Sequence, residues 1–184
     1  KAVTVNLTEL DPLTLDFDAS DITCFGADDG AITALVTGGQ MPYSYIWIGP
    51  NGFTANSDSI SGLQPGFYEV QVTDTNGCVI TDGVMINEST ELTLMTTVNN
   101  SSCGDDNGSL SAAASGGTVS ADYSYTWFDA DDNEIADVPG VNNLAPGAYT
   151  VVVTDDNGCE ISETVVISDA EGEITAAITQ PSCS

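Results

Sequence analysis

The sequence has almost no cationic side chains. It contains 28 acidic residues and a single basic one, Lys1, it has no histidine, and its formal net charge is −27. Nucleic-acid binding depends on clustered lysine and arginine, so this balance excludes a nucleic-acid partner and argues against anionic membrane surfaces. Without histidine, the Ser-His-Asp and Cys-His arrangements of hydrolytic enzymes cannot be built. We therefore expect no enzymatic activity.

Long apolar runs and long helix-forming stretches are also missing. No apolar run approaches the roughly 20 residues of a membrane helix, so we expect no membrane insertion of this segment. Glycine, proline, asparagine and aspartate recur every few residues, which leaves no room for a long helix. Since one cation cannot pair with 28 anions, stability must come from apolar burial, disulfides and, at most, bound metal cations.

What the sequence does contain is an internal repeat of about 80 residues. The recurring motifs are Gly38-Gly39 with Gly116-Gly117, Tyr43-x-Tyr45-x-Trp47 with Tyr123-x-Tyr125-x-Trp127, Leu63-x-Pro65-Gly66-x-Tyr68 with Leu144-x-Pro146-Gly147-x-Tyr149, and Asp74-x-Asn76-Gly77-Cys78 with Asp155-x-Asn157-Gly158-Cys159. They predict two complete units, residues 13–91 and 92–173. Residues 1–12 are predicted to be the last strand of a preceding repeat and residues 174–184 the first strand of a following one. We therefore expect the chain to be a segment of a longer array.

Each unit is predicted to consist of β-strands. Tyr43, Tyr45 and Trp47 alternate with other residues, which places three rings on one face of a strand. Residues 110–115 are alanine-rich and locally prefer a helix, but their counterparts, residues 32–37, are β-branched, so we predict a strand in both. About seven strands per unit with turn residues between them predict an all-β fold of tandem immunoglobulin-like β-sandwich repeats.

Each unit contains two recognisable turn motifs, a hairpin turn and a tyrosine corner. Asn76-Gly77 and Asn157-Gly158 predict two-residue hairpin turns, in which both central residues take positive φ. The Leu-x-Pro-Gly-x-Tyr segment predicts a tyrosine corner, with the ring buried and the hydroxyl bonded to the corner backbone. The residues predicted to be structural rather than ligand-binding are Trp47, Trp127, Tyr68 and Tyr149.

Taken in order along each unit, these motifs resemble the SprB repeat, which is named for the giant cell-surface gliding adhesin of Bacteroidota. The resemblance covers nearly the whole of both units. In the second unit residues 118–122 replace the shorter residues 40–42, which affects a loop rather than the fold. The resemblance implies a secreted cell-surface protein that is exported through the type IX system and acts as an adhesin or filament in gliding motility. It supplies no catalytic residues.

The five cysteines are Cys24, Cys78, Cys103, Cys159 and Cys183. In a secreted repeat protein they favour disulfides over metal ligation. One arrangement pairs Cys24 with Cys78 and Cys103 with Cys159, within each repeat. However, the first turn and the last hairpin of such a unit lie about 30 Å apart, whereas a disulfide needs Cα atoms within about 7 Å. The other arrangement therefore pairs Cys24 with Cys159, between repeats, and leaves the remaining cysteines for further units.

Acidic residues cluster in the turns of both units. Clustered carboxylates suit Ca²⁺, which takes six to eight oxygen ligands, and Asp28 and Asp29 of one unit could face Asp155 and Asp156 of the next. The alternative is ordinary turn chemistry on a solvated acidic surface. No cofactor is required in either case, and Ca²⁺ is the one candidate.

The leading functional hypothesis is a structural spacer, the stalk or filament-forming segment of a large secreted cell-surface adhesin. Its partners would be neighbouring repeats of the same chain and other copies in a filament. The alternative is a carbohydrate- or protein-binding adhesion module. Phe53, Phe67 and Phe128 are its candidate contact residues, because they break the inward alternation or sit beside loops. None of them recurs at the same position in both units, which favours the spacer.

Overall fold

Apolar and polar residues alternate along the strands of both units, and each unit is built from β-strands. The computed structural model describes residues 11–102 and 104–170, and the boundary between the units lies between Glu91 and Leu92. The predictions for residues 174–184 and for most of residues 1–12 lie outside the described residues. Residues 11–102 and 104–170 include no candidate membrane-spanning helix.

Residues 11–89 of the first unit contain seven strands. They are β1 (Thr14–Ser20), β2 (Gly30–Thr37), β3 (Ser44–Ile48), β4 (Thr54–Ala55), β5 (Ser59–Leu63), β6 (Gly66–Thr73) and β7 (Val79–Ile86). They form two antiparallel sheets, with strand orders β1-β2-β5 and β4-β3-β6-β7. A short 3₁₀ turn, Pro50–Gly52, lies between β3 and β4.

The core of the first unit lies between its two sheets. On β6, Tyr68, Val70 and Val72 are buried, and the residues between them face away from the core. Trp47 on β3 pairs with Val70 and is fully buried. Its ring centroid lies 6.1 Å from that of Phe17, which comes from β1 in the opposite sheet. Side chains from both sheets thus share one core, which confirms the predicted β-sandwich.

The second unit repeats this plan with additional short strands. Its strands are β8 (Thr90–Asn99), β9 (Ser101–Ser102), β10 (Gly108–Gly117), β11 (Ser124–Phe128), β12 (Glu134–Ala136), β13 (Gly140–Leu144), β14 (Gly147–Thr154), β15 (Glu160–Ile167) and β16 (Asp169–Ala170). The main sheets have the orders β13-β10-β8 and β12-β11-β14-β15. A two-stranded parallel sheet joins β9 to β16. The core again combines residues from both main sheets.

The alanine-rich segment of the second unit is a strand, as predicted from its counterpart. It forms part of β10, where Leu110 and Ala112 are buried and the residue between them is exposed. Leu110 pairs with Val141 on β13. The tertiary partners of this segment therefore override the local helix preference of alanine.

The predicted two-residue hairpin turns are wrong. Strands β6 and β7 pair last at Thr73 and Val79, which leaves five residues in the loop. Of the two residues expected to take positive φ, only Gly77 does so, at 84°. The Gly77 N–H donates to the Asp74 carbonyl over 3.0 Å. The longer loop is stabilised because the Asp74 carboxylate also accepts backbone N–H groups inside it.

Candidate functional site

The recurring tyrosines of the Pro-Gly corners bond to the backbone of those corners. The Tyr68 hydroxyl donates to the Gln64 carbonyl over 3.0 Å, and the Tyr149 hydroxyl donates to the Ala145 carbonyl over the same distance. Both rings are buried. This is the geometry of a tyrosine corner, which joins the start of one strand to the turn before it.

The two tryptophans face the cores and satisfy their single polar atoms there. The indole N–H of Trp47 donates to the Ser57 carbonyl over 2.9 Å, and that of Trp127 donates to the Val138 carbonyl over 3.0 Å. Neither side chain has any exposed surface. An indole that is buried and bonded in this way cannot serve as a ligand platform.

A second pair of tyrosines closes the Gly-Gly loop of each unit. The Tyr43 hydroxyl donates to the Gly38 carbonyl over 2.6 Å, and the Tyr123 hydroxyl donates to the Gly116 carbonyl over 2.8 Å. The sequence placed these rings on the inward face but did not reveal that their hydroxyl groups fasten a loop.

The most concentrated polar site in the first unit is the carboxylate of Asp74. Its side chain is only 5% exposed, and it accepts three backbone N–H groups. One oxygen accepts from Asn76 over 2.9 Å and from Cys78 over 2.8 Å. The other oxygen accepts from Gln40 over 2.9 Å. A single carboxylate thus ties the last hairpin to the loop that follows the Gly-Gly pair.

The second unit holds the equivalent site at Asp155, which is 6% exposed. Its carboxylate accepts the N–H groups of Thr118 (2.8 Å), Asn157 (2.9 Å) and Cys159 (2.9 Å). A Cβ added at Gly117 would lie 2.5 Å from its Oδ2, so only glycine fits there. This buried acceptor was not predicted from the sequence, where the joint recurrence of Gly-Gly and Asp in both units is the available signal.

Hydrogen bonding keeps these two carboxylates ionised. Burial acts to raise the pKa of Asp74, but the N–H groups of Cys78, Gln40 and Asn76 outweigh it and hold the pKa below its ordinary value. Burial likewise acts to raise the pKa of Asp155, and the backbone donors, led by Thr118, again lower it. Both groups act as anionic acceptors within the scaffold.

The other turn carboxylates are engaged by nearby side chains and backbone. Asp29 accepts the hydroxyl and the N–H of Thr23, which lower its pKa in that order. Asp156 accepts the hydroxyl and the N–H of Ser120, with the same effect on its pKa. Asp28 accepts one N–H of Gln64 over 3.3 Å.

The calcium hypothesis concerns these acidic turns. Among residues 11–102 and 104–170, no group of three or more aspartate, glutamate or cysteine side chains lies close enough together to hold a metal ion. The carboxylates of Asp155 and Asp156 are already acceptors for protein donors. A calcium site formed with Asp28 and Asp29 therefore stays a prediction.

The cysteines are in different states. Cys78 has a free, exposed thiol, so the within-repeat pair of Cys24 with Cys78 is not formed. Cys24 and Cys159 each take part in a disulfide. The predictions for Cys103 and Cys183 lie outside the described residues.

The three candidate phenylalanines lie in different environments. Phe53 is half-buried and packs edge-on against Tyr68, with ring centroids 5.3 Å apart at 81°. Phe128 is also half-buried. Phe67 is 51% exposed and points away from the core of its unit. Phe67 is therefore the most open of the three to a ligand.

A comparison with models of known protein families supports the two-unit repeat seen in the sequence. The family model described as the SprB repeat matches residues 17–52 and 95–132, one segment in each unit. No curated protein sequence matches the chain.

Several solved structures align with most of this chain at low sequence identity. An amphioxus IgVJ-C2 molecule is 13% identical, with 71% of this chain and 90% of that chain covered and a TM-score of 0.35. Murine CEACAM1b is 10% identical, with coverages of 86% and 100% and a TM-score of 0.34. The BSP domain of a biofilm-associated protein is 17% identical, with coverages of 84% and 29% and a TM-score of 0.28. Such low TM-scores carry no argument about function.

The fold and the motifs agree with each other. Each unit is an immunoglobulin-like sandwich in which the recurring side chains build the core and its corners. Immunoglobulin-like folds of this kind are typically adhesion or structural modules rather than enzymes. The resemblance predicted from the sequence is confirmed, and each unit carries a match to the SprB repeat, a family of cell-surface and extracellular proteins.

Proposed function

We propose that this chain is a spacer segment in the shaft of a secreted cell-surface adhesin, exported through the type IX system and used in gliding motility. The observation that supports the proposal is the structural role of the side chains that recur in both units. The tryptophans, the corner tyrosines and the buried aspartates all bond or pack inside their own unit. The positions that recur therefore maintain the fold, and no repeated ligand site is needed to account for them.

The point where the chain leaves the first unit also supports a spacer. The Asn87 N–H donates to Asp21 over 2.8 Å, and the Asn87 carbonyl accepts the Ile22 N–H over 3.0 Å. The Glu88 carboxylate accepts the Gly26 N–H over 2.6 Å. The outgoing chain is thus fastened to the first turn of its own unit.

The cysteines support a covalent link between neighbouring repeats. Cys24 belongs to the same first turn, where its carbonyl accepts the Ala27 N–H. It therefore lies at the end of the first unit where the chain leaves. In the second unit Thr93, near the start of β8, bonds to Ser115 near the end of β10. The hairpin that ends at Cys159 closes onto the loop just after β10, which is the end where the chain enters.

We therefore propose a disulfide between Cys24 and Cys159 as the staple between repeats. Cys78 occupies the position of Cys159 in the first unit and has a free thiol, so it is suited to pair with the first-turn cysteine of another repeat. Thiol labelling tests the pairing. A Cys24→Ser variant should make Cys159 reactive to iodoacetamide, whereas the matched Cys78→Ser variant should leave Cys159 unlabelled. Unlabelled Cys159 in the Cys24→Ser variant would contradict the staple.

Scattering tests the spacer function itself. β-Strands of 8 to 10 residues rise about 3.4 Å per residue, so each repeat should add roughly 30 Å of length. We expect the maximum dimension in small-angle X-ray scattering to grow linearly from chains of two repeats to chains of four and six. A maximum dimension that levels off as repeats are added would contradict a spacer.

A further inference from the structure

The outer face of β6 in the first unit presents an aromatic ring to solvent. Alternation along the strand turns Tyr68 inward and its neighbour Phe67 outward. Phe67 keeps 51% of its surface exposed, and Met85, which pairs with it on β7, keeps 50%. Burying these side chains in a partner would be favourable, since apolar surface removed from water contributes about 25 cal/mol per Å².

Gly83, on the neighbouring strand, leaves the space that this ring occupies. A Cβ added at Gly83 would collide with Phe67 Cζ and lie 2.9 Å from Cε1. The ring therefore occupies the space that a side chain at residue 83 would fill. One explanation is purely structural, because an aromatic ring laid over a strand glycine protects its backbone. That explanation does not account for the depression beside the ring.

The depression has a volume of about 180 Å³ and is lined by Ile48, Gly49, Phe67 and Glu69. Glu69 pairs directly with Gly83 across the strands, so its carboxylate borders the ring. No hydrogen bond within the described part of the chain engages this carboxylate. The site thus combines an aromatic surface, an aliphatic wall and an available anionic acceptor.

We propose that this depression binds one neutral sugar residue of a glycan. The apolar C–H face of the sugar packs on Phe67 and Ile48, and a sugar hydroxyl donates to the Glu69 carboxylate, which is a stronger acceptor than a neutral oxygen. A pocket of about 180 Å³ has room for one such residue and lies below the usual size of drug-sized ligand sites. Anionic sugars are disfavoured by Glu69 and by the net charge of −27.

The second unit provides an internal negative control. Ala148, Thr150 and Thr164 stand at the positions of Phe67, Glu69 and Gly83. The hydroxyl groups of Thr150 and Thr164 bond to each other over 2.9 Å. The ring, the carboxylate and the glycine of the first unit are therefore all replaced at these three positions. Phe128 stands at the position of Ile48 and pairs with Thr150, and the Asp129 carboxylate, at the position of Gly49, accepts N–H groups of its own loop. We therefore expect the sugar site in the first unit. This inference goes beyond the spacer function and does not depend on it.

The test is a ¹⁵N-¹H NMR titration of the 184-residue chain with methyl glycosides of neutral hexoses and N-acetylhexosamines, and with a uronic acid for comparison. We expect at least one neutral sugar to shift the amide signals of Phe67, Glu69 and Gly83 with a dissociation constant on the order of 1 mM. The amides of Ala148 and Thr164 should not move.

Variants separate the sugar site from the structural explanation. Phe67→Leu keeps an apolar cover over Gly83 but removes the aromatic face, and it should weaken binding about tenfold, which corresponds to 1.4 kcal/mol. Gly83→Thr copies the second unit and should displace the ring, with a similar loss of binding. Glu69→Gln should weaken binding without changing the spectrum elsewhere.

Four results would overturn the proposal. They are the absence of shifts with every neutral sugar, uronic acid binding as well as the neutral sugars, unchanged affinity in Phe67→Leu, and shifts confined to the second unit. If the first of these results is found and an apolar protein binds this face instead, the partner is a protein and not a sugar. None of these outcomes would affect the scattering test of the spacer.

Discussion

Removing one hydroxyl from a tyrosine corner should destabilise one unit and leave the other unchanged. In Tyr149→Phe the ring stays buried, but the Ala145 carbonyl loses the donor that lies 3.0 Å away. Loss of such a bond should lower the free energy of unfolding by about 1–2 kcal/mol. This is the lower part of the range for an acceptor left without a donor, because the corner is only partly buried. For a unit of about 80 residues, this corresponds to a fall in melting temperature of roughly 4–16 °C.

The two tryptophans allow this effect to be followed in each unit separately. Trp47 lies in the core of the first unit and Trp127 in that of the second, and the chain has two tryptophans in total. Labelling with 5-fluorotryptophan gives each unit its own ¹⁹F signal during thermal unfolding. Tyr149→Phe should lower the midpoint of the Trp127 signal alone, and the matched Tyr68→Phe should lower that of Trp47 alone. Equal shifts of both signals, or no shift in either, would refute the assignment of a separate core and corner to each unit.

Three further predictions concern the buried carboxylate and the acidic turns. Gly158→Ala should cost about 1–2 kcal/mol of unfolding free energy, because alanine must adopt a left-handed backbone in open space. Gly117→Ala should lower the free energy of unfolding in urea by clearly more than Gly158→Ala does, because its Cβ also collides with the Asp155 carboxylate. Equal losses in the two variants would contradict this packing. Asp155→Asn should lower the melting temperature at pH 7. Because the folded-state pKa of Asp155 is depressed, its stabilisation is present above the ordinary pKa of 3.8 and is lost as the pH falls through the folded pKa. The difference between the variant and the original chain should therefore shrink below about pH 4 in thermal melts, and a constant difference would argue against an ionised acceptor. Millimolar Ca²⁺ and Mg²⁺ should raise the melting temperature equally by screening the acidic surface, and a larger rise with Ca²⁺ would establish the predicted calcium site.

The core residues were predicted well from the sequence, because the alternation of apolar and polar residues along a strand is a local pattern. Alternation on a strand puts Tyr68 inward and Phe67 outward whatever the strand pairs with. Repetition also corrected a wrong local signal, since the alanine-rich residues 110–115 form a strand like their counterparts. These features need neither the register nor the distant partners to be known.

The hairpin was mispredicted, and the error has consequences for the candidate site. A two-residue turn at Asn76-Gly77 would pair Glu69 with Val84, whereas the five-residue loop pairs Glu69 with Gly83. A register shift of one residue moves every cross-strand neighbour to the other face. The contact of Phe67 with Gly83, and with it the proposed sugar site, was therefore invisible from the sequence.

The buried aspartates were missed for a different reason. Asp74 resembles the other acidic turn residues in sequence, and what singles it out is the loop at Gln40, more than 30 residues away. Its position in an acidic turn makes Asp155 a candidate calcium ligand in sequence, whereas in the structure its carboxylate accepts three backbone N–H groups. The difference between a solvated and a buried carboxylate depends on tertiary contacts, which a single sequence does not display.

The proposed covalent link between neighbouring repeats is a disulfide between Cys24 and Cys159. It is tested most directly by digesting the unreduced chain with an aspartate-specific protease and identifying the linked peptides by mass spectrometry. Trypsin is unsuitable, because the chain has a single basic residue. We expect a peptide that joins Cys24 to Cys159, with Cys78 recovered as a free thiol. A peptide that joins Cys24 to Cys78, or one that joins Cys159 to Cys103, would contradict it.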